Sequence, residues 1–178
     1  PYDNEIQHLI FNLDDVSGEL EDGFFFGTLV HEFAHHLYYS AISSSSEDGS
    51  EVTYHSCVQA PAPDTCSEFD GPVAEYLKKF WWEHADGFAT RDEEDEGYYS
   101  GLYRIIDDSG AFVSEYAATN AVEDFAESFT AAVFDSSSVF NRDGQVVADK
   151  LAFFQRESSQ YSGLVGQIRN GFYDTFSI

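Results

Sequence analysis

Basic residues are scarce in this sequence. Eight lysines and arginines stand against 33 aspartates and glutamates, which gives a formal net charge of -25 at pH 7. Such a surface repels nucleic acid backbones and anionic membranes, so we expect no nucleic acid partner. We interpret the charge as an adaptation for solubility in a salty medium, and the alternative is that it steers basic peptides toward a cleft.

Long apolar runs are also missing. No stretch of the sequence approaches the roughly 20 residues that a membrane-spanning helix needs, so we expect no membrane span. The chain nevertheless has 43% hydrophobic and 17% aromatic residues among its 178, which is enough for a sizeable core. We therefore predict a single domain over residues 1–178, as a monomer, with an irregular excursion at about 42–71 where serine and proline are frequent.

Cysteine is limited to Cys57 and Cys66, which enclose a short loop that contains proline. This spacing favours a local disulfide over a metal-binding pair, and a disulfide favours an oxidising compartment. The chain begins at Pro1 without an initiator methionine, which is typical of a mature form after removal of a signal or pro-segment. We therefore expect an extracellular, secreted protein.

The most informative stretch is His31-Glu32-Phe33-Ala34-His35, an H-E-x-x-H pattern. Composition alone predicts only about 0.02 such patterns in a chain of this kind. On a helix, His31 and His35 point in nearly the same direction and can bind one metal ion, which indicates zinc. Glu32 lies beside the metal rather than on it, where its carboxylate can take a proton from a metal-activated water. It is the candidate general base.

The surroundings of the motif favour a metal site. The run from Phe24 to Tyr39 leaves little polar face, which is typical of a helix buried on most sides, here predicted over about 24–40. Buried histidine and glutamate need a partner, and a metal ion supplies one. The alternative is a core helix whose polar groups are satisfied by other side chains. His36 points about 100° away from the ligand face, so we interpret it as a packing residue or a support for a ligand.

A second informative stretch predicts a helix over about 119–134, with Thr119 or Asn120 as its N-cap. Glu123 and Glu127 lie four residues apart beside an apolar stripe, and two histidines leave a zinc ion without its third protein ligand. Glu123 is the preferred third ligand because its helix is capped and anchored. The competing candidates Glu83, His84 and Asp86 lie where a helix runs into Gly87. Glu127, one turn after Glu123, can accept a hydrogen bond from a ligand imidazole.

Outside the two motifs, the sequence predicts one strand and four further helices. Alternating apolar residues predict a strand over residues 5–13, covered on both faces, in which His8 is structural. Further helices are predicted at about 72–84, 98–106, 145–157 and 163–173.

Taken together, the two motifs resemble the zinc metallopeptidase domain of the anthrax lethal factor group, a gluzincin branch that includes secreted proline-directed endopeptidases. The second motif runs from Tyr116 through Thr119-Asn120 to Glu123 and Phe125-Ala126-Glu127. The resemblance implies that His31, His35 and Glu123 bind one Zn²⁺, that Glu32 is the base, that Tyr116 assists the oxyanion and that Glu127 supports a ligand histidine.

From these motifs we expect a particular fold and a particular function. The fold is an α+β, zincin-like domain in which a small twisted sheet, including residues 5–13, packs on the H-E-x-x-H helix and on a second helix that carries glutamate. The function is zinc-dependent hydrolysis of peptide bonds in a peptide or protein substrate. The alternative is a non-catalytic, zinc-stabilised module that binds basic proteins through its acidic surface.

Overall fold

A computed structural model of the protein describes residues 2–3, 8–9, 24–45, 71–82, 110–134, 144–156 and 159–175. These residues include five helices: α1 (Phe24–Ser45), α2 (Pro72–Phe80), α3 (Ala121–Phe134), α4 (Gln145–Gln155) and α5 (Ser162–Thr175). Each helix lies where the sequence predicts one. The sequence places the end of α1 near Ser40, whereas the helix continues to Ser45. The sequence places the end of α2 near residue 84, whereas the helix ends at Phe80.

The predicted α+β class is wrong for the part of the chain that the structure describes. That part is helical, and it shows no small twisted sheet. Its β structure is limited to β1 (Tyr2–Asp3) and β2 (His8–Leu9), an antiparallel pair of two-residue segments with Tyr2 opposite Leu9. A pair this short has no face that could serve as a layer of a core. The alternation of apolar residues over 5–13 predicts a strand, but it does not show which other strands would pair with it. The other residues of 5–13 lie outside the described part.

Three further predictions fall on residues that the structure does not describe. The pair Cys57 and Cys66 lies outside the described ranges, and so does the helix predicted at 98–106. The same holds for the competing ligands Glu83, His84 and Asp86. Residues 42–45, the first of the irregular excursion predicted at about 42–71, belong to α1. Residues 46–70 lie outside the described ranges.

The central element of the described core is α3. It packs against α1, α4 and α5, and all its residues are buried except Glu123, Glu127 and Phe134, which are partly exposed. Phe125 lies at its middle and makes ring contacts with one aromatic residue from each of three helices, at centroid distances of 5.3 Å to Tyr38, 5.2 Å to Tyr76 and 5.1 Å to Phe154. Edge-to-face contacts of this kind fix neighbouring helices against one another. Glu123 and Glu127 are therefore the polar residues of α3 that stay partly exposed beside the core.

The carboxyl end of α3 is held by side chains from later helices. Arg169 of α5 donates from Nε to the Val133 carbonyl at 2.8 Å and from its guanidinium to the Ala132 carbonyl. Gln155 at the end of α4 donates to the same Ala132 carbonyl at 3.0 Å. The last carbonyls of a helix have no partner within it, so these donors satisfy groups that would otherwise need water.

A buried ion pair involves Asp124, the residue of α3 that follows Glu123. Asp124 and Lys150 are both 0% exposed, and the Lys150 ammonium lies 2.8 Å from each carboxylate oxygen of Asp124. Tyr76 Oη and Trp81 Nε1 each donate to Asp124 Oδ2 at 2.7 Å. The ammonium also lies 4.3 Å from the centre of the Phe112 ring. Each buried charge therefore has close polar partners, as a charge removed from water requires.

Removing one partner of this pair should be costly. We expect Lys150→Met to lower the free energy of unfolding by about 3–5 kcal/mol, because it leaves the buried Asp124 carboxylate without its cation. The matched control is Lys78→Met, since Lys78 is exposed and lies over the Trp82 ring, and it should cost no more than about 1 kcal/mol. Denaturant unfolding of both variants checks this. Equal losses in the two would mean that the Lys150 charge is solvated.

None of the helices in the described ranges is long and apolar enough to cross a membrane.

Candidate metal centre

Two histidines of α1 meet at the tips of their rings. His31 and His35 are one turn apart, and their Nε2 atoms lie 3.0 Å from each other, with the ring planes at 86°. The helix is fixed in this orientation because Val30, Ala34 and Tyr38 are buried in the core. Both imidazoles therefore project toward α3, the helix that packs against α1.

Glu123 of α3 completes the group. Its Oε2 lies 3.2 Å from the Nε2 atoms of both His31 and His35, so three donor atoms form a nearly equilateral triangle. Ligands about 2.0 Å from a tetrahedral zinc ion stand about 3.3 Å from one another, close to these separations. His31, His35 and Glu123 could hold a metal ion.

Burial supports that fit. Despite its two close neighbours, Glu123 Oε2 is buried without a well-aligned hydrogen bond, and His35 Nδ1 is also buried without a partner. A buried carboxylate oxygen that no N–H points at is unfavourable unless a cation lies against it. The triangle of donor atoms therefore fits a metal ion better than it fits its own hydrogen bonding.

The electrostatics of the group also favour a positive charge. Burial lowers the pKa of His31, but its contacts with Glu123 and Glu127 outweigh this and raise the pKa to about 9. Burial raises the pKa of Glu123, but its contacts with His31 and His35 outweigh this and lower the pKa to about 2. The carboxylates thus stabilise a cation at this point, and a bound metal ion takes the place of the histidine proton.

Glu127 lies behind the first histidine. Its Oε1 is 2.9 Å from His31 Nδ1, and its Oε2 accepts a hydrogen bond from Ser114 Oγ at 2.7 Å. The Ser114 hydroxyl in turn accepts the Ala117 amide at 3.0 Å. A carboxylate on Nδ1 holds the proton there and leaves Nε2 for a metal ion. The sequence does not predict this role for Ser114, because a serine in a turn carries no spacing signal that relates it to a glutamate 13 residues later.

The start of α3 is fixed by Asn120. Its Oδ1 accepts the backbone amides of Val122 and Glu123, both at 3.0 Å, which identifies Asn120 as the N-cap. The sequence had left Thr119 as the alternative, and the Thr119 hydroxyl instead donates to the Tyr116 carbonyl. The cap therefore holds the backbone of the predicted ligand Glu123.

The cap leads to a test. We expect Asn120→Ala to lower the free energy of unfolding by about 1 kcal/mol, because two amides at the start of α3 lose their acceptor. Asn120→Asp keeps an acceptor oxygen at the same place and should restore most of the loss. Thermal unfolding of the two variants measures the difference, and equal stability of both would contradict the capping role.

Tyr116 lies beside the group, against His31. The Tyr116 ring stacks on His31 with centroids 5.9 Å apart, and the side chain is 54% exposed. Partial burial raises the pKa of Tyr116 to about 12, with further contributions from the charges of Glu123 and Glu32. The phenol therefore keeps its proton near neutral pH and can donate it in a hydrogen bond. Glu32 is partly buried and follows His31 on α1.

His36 lies apart from the three possible ligands. Its Nδ1 is 3.4 Å from Ser40 Oγ, and its ring lies 6.1 Å from that of Phe33. These contacts along its own helix agree with the packing role predicted for it. Among the candidates for the third ligand, Glu123 lies in the group with His31 and His35. Glu83, His84 and Asp86 lie outside the described residues.

Comparison of the chain with protein-family models, with curated proteins and with solved structures gives no match. The resemblance to the lethal factor group therefore stays a prediction, and the function has to be argued from the geometry of the site.

Proposed function

We propose that this protein is a zinc-dependent endopeptidase. The observation that carries the proposal is the partly buried triangle of His31 Nε2, His35 Nε2 and Glu123 Oε2. Glu32 follows His31 on α1, and the exposed Tyr116 ring stacks on His31. Two imidazoles and one carboxylate are the protein ligands of a catalytic zinc site, which keeps its fourth position for water or substrate. A site with only a structural role usually has four protein ligands.

Zinc is the metal that the donor set suits best. Imidazole nitrogens bind zinc well, whereas magnesium and calcium prefer oxygen ligands alone. When bound, zinc supplies a Lewis acid that polarises the scissile carbonyl and makes a water molecule acidic near neutral pH. The partial burial of the group in the structure limits how much bulk water reaches the ligands, which strengthens electrostatic interactions there.

The roles of the other residues follow from their positions. Glu32 takes the proton of the attacking water and passes it to the nitrogen of the leaving amine, as a general base and then a general acid. Tyr116 donates a hydrogen bond to the oxygen that becomes negative, which its raised pKa of about 12 allows. Glu127, supported by Ser114, keeps the His31 ring in one orientation.

The decisive experiment is peptide hydrolysis by the zinc-loaded chain. The protein is stripped with a chelator, reconstituted with one equivalent of zinc and incubated with a mixed peptide library, and products are read by mass spectrometry. We expect internal peptide bonds to be cut by the zinc-loaded form, no cleavage by the stripped form, and recovery on adding zinc back. Binding of zinc at a ratio of one without any cleavage would instead identify a non-catalytic, zinc-stabilised module.

A further inference from the structure

Successive residues of α3 carry acids that face in different directions. Glu123 lies against His31 and His35 of α1, whereas Asp124 is fully buried among residues of α2, its following turn and α4. Neighbouring positions on a helix differ by about 100° in direction, so one rotation of α3 sets both carboxylates. Fixing Asp124 therefore also fixes Glu123.

Three donors from different parts of the fold converge on Asp124. Tyr76 of α2 and Trp81 after it reach Oδ2 at 2.7 Å, and Lys150 of α4 lies 2.8 Å from both oxygens. The Ser128 hydroxyl, one turn along α3, lies 3.1 Å from the Tyr76 hydroxyl and belongs to the same network. The Asp124 carboxylate accepts bonds from several directions. All of these bonds can form together in only one orientation of α3 about its own axis.

Stability alone does not explain a charged pair in this place. A buried ion pair is often no more stabilising than apolar side chains of similar size, and its best-attested use is to select one register or orientation. A rotation of α3 by about 10° would move a carboxylate some 5–6 Å from the helix axis by about 1 Å. Metal sites tolerate only about 0.2 Å of error in ligand distance.

We propose that Asp124, held by Lys150, Tyr76 and Trp81, is a positioning residue that sets the rotation of α3 and thereby places Glu123 Oε2 for metal binding. This inference rests on the metal centre of the proposed function. It concerns the affinity and geometry of the site, and it does not depend on which substrate the protein takes.

The test replaces both charges with apolar side chains of similar size, as Asp124→Leu combined with Lys150→Met. We expect the double variant to keep a cooperative thermal transition, because no buried charge is left unpaired, but at a lower temperature than the wild type, because Tyr76 and Trp81 lose their acceptor. It should bind zinc at least about tenfold more weakly in competition with a chromophoric chelator. Its cobalt(II) form should also show shifted d–d absorption, since cobalt reports the ligand geometry directly.

The matched control is Val165→Ala, which removes a buried apolar side chain from α5, a helix that contributes no donor to Asp124. We expect it to lower the unfolding temperature while zinc affinity and the cobalt spectrum stay as in the wild type. Wild-type zinc affinity in the double variant, or an equal loss of affinity in Val165→Ala, would overturn the positioning role, because metal binding would then be independent of Asp124 or follow overall stability.

A milder variant serves if the double variant does not fold. Trp81→Phe removes one donor to Asp124 and keeps an aromatic ring, and it should weaken zinc binding by about two- to fivefold with a changed cobalt spectrum; an unchanged affinity and spectrum would refute the inference. No metal uptake by the wild type overturns this inference and the proposed function together. Metal binding that responds to Asp124 in a chain that cuts no peptide supports the positioning role and overturns the proposed activity alone.

Discussion

Replacement of Glu32 by glutamine is expected to lower kcat/KM for peptide hydrolysis by about a thousandfold while the zinc content stays at one ion per chain. Glutamine has nearly the same shape but cannot accept the proton of the attacking water, and general base catalysis contributes about 10²–10⁴ to the rate. The three possible ligands, His31, His35 and Glu123, are untouched by the change. Steady-state kinetics together with elemental analysis of the purified variant measures both quantities.

The control for this variant is His36→Gln on the same helix. His36 lies outside the group of possible ligands and contacts Ser40 and Phe33, so we expect hydrolysis within about twofold of the wild type. If Glu32→Gln retained more than a tenth of the wild-type activity, the proton would have to go to another group. Loss of zinc from the Glu32 variant would mean that this carboxylate holds the metal rather than the water.

Replacement of Glu123 by alanine should lower zinc affinity more than replacement of Glu127 or Ser114. A structural zinc site with four ligands has a binding free energy of about 10–16 kcal/mol, so one ligand accounts for roughly 3 kcal/mol, or about a hundred- to a thousandfold in affinity. The variant also leaves two histidines facing each other with their Nε2 atoms 3.0 Å apart. Zinc affinity measured by chelator competition tests the expectation.

Glu127 provides the comparison for this ranking. Because Glu127 lies on the far side of His31, at Nδ1, we expect Glu127→Ala to weaken zinc binding by only about 10- to 100-fold. Ser114→Ala removes a single hydrogen bond to Glu127. It should therefore weaken zinc binding less than Glu127→Ala does. An inverted order, with Glu127 more important than Glu123, would withdraw Glu123 as a ligand and with it the endopeptidase proposal.

The helices were the predictable part of the fold. The apolar stripe of α3, with Val122, Phe125 and Phe129, is buried as its spacing predicts. Proline before a periodic run predicted the start of α2 correctly, because its fixed φ suits the first helical turn. The end of α1 was less predictable, since adding residues to an existing helix is easy even when they are serines.

The predicted sheet shows where sequence reasoning reached its limit. Apolar residues on both sides of 5–13 are compatible with a strand between two layers, but the pattern carries no information about pairing partners. Strand pairing depends on distant segments, whereas helical periodicity is local. In the described part of the chain, only the two-residue segments with Tyr2 opposite Leu9 pair in this way.

The site was predictable where its residues are spaced by a helical turn, and not elsewhere. His31 and His35, and likewise Glu123 and Glu127, share a face because they are four residues apart. Asp124 escaped notice because an aspartate next to an apolar stripe usually faces solvent, and Lys150 looks like an ordinary surface lysine in a sequence. Their pairing across 26 residues is visible only in three dimensions.

The side chains at the carboxyl end of α3 bear on how the protein is made. Arg169 follows Val133 and Ala132 by 36 and 37 residues, and a ribosome adds about 5–20 residues per second, so several seconds separate the synthesis of this helix from that of its cap. During that interval the Val133 carbonyl lacks its Arg169 donor, and the Ala132 carbonyl depends on Gln155 or on water. The helix that carries Glu123 therefore reaches its final form only after α5 has been synthesised. If the chain is a peptidase, its metal site matures only some time after its last ligand has been added to the chain.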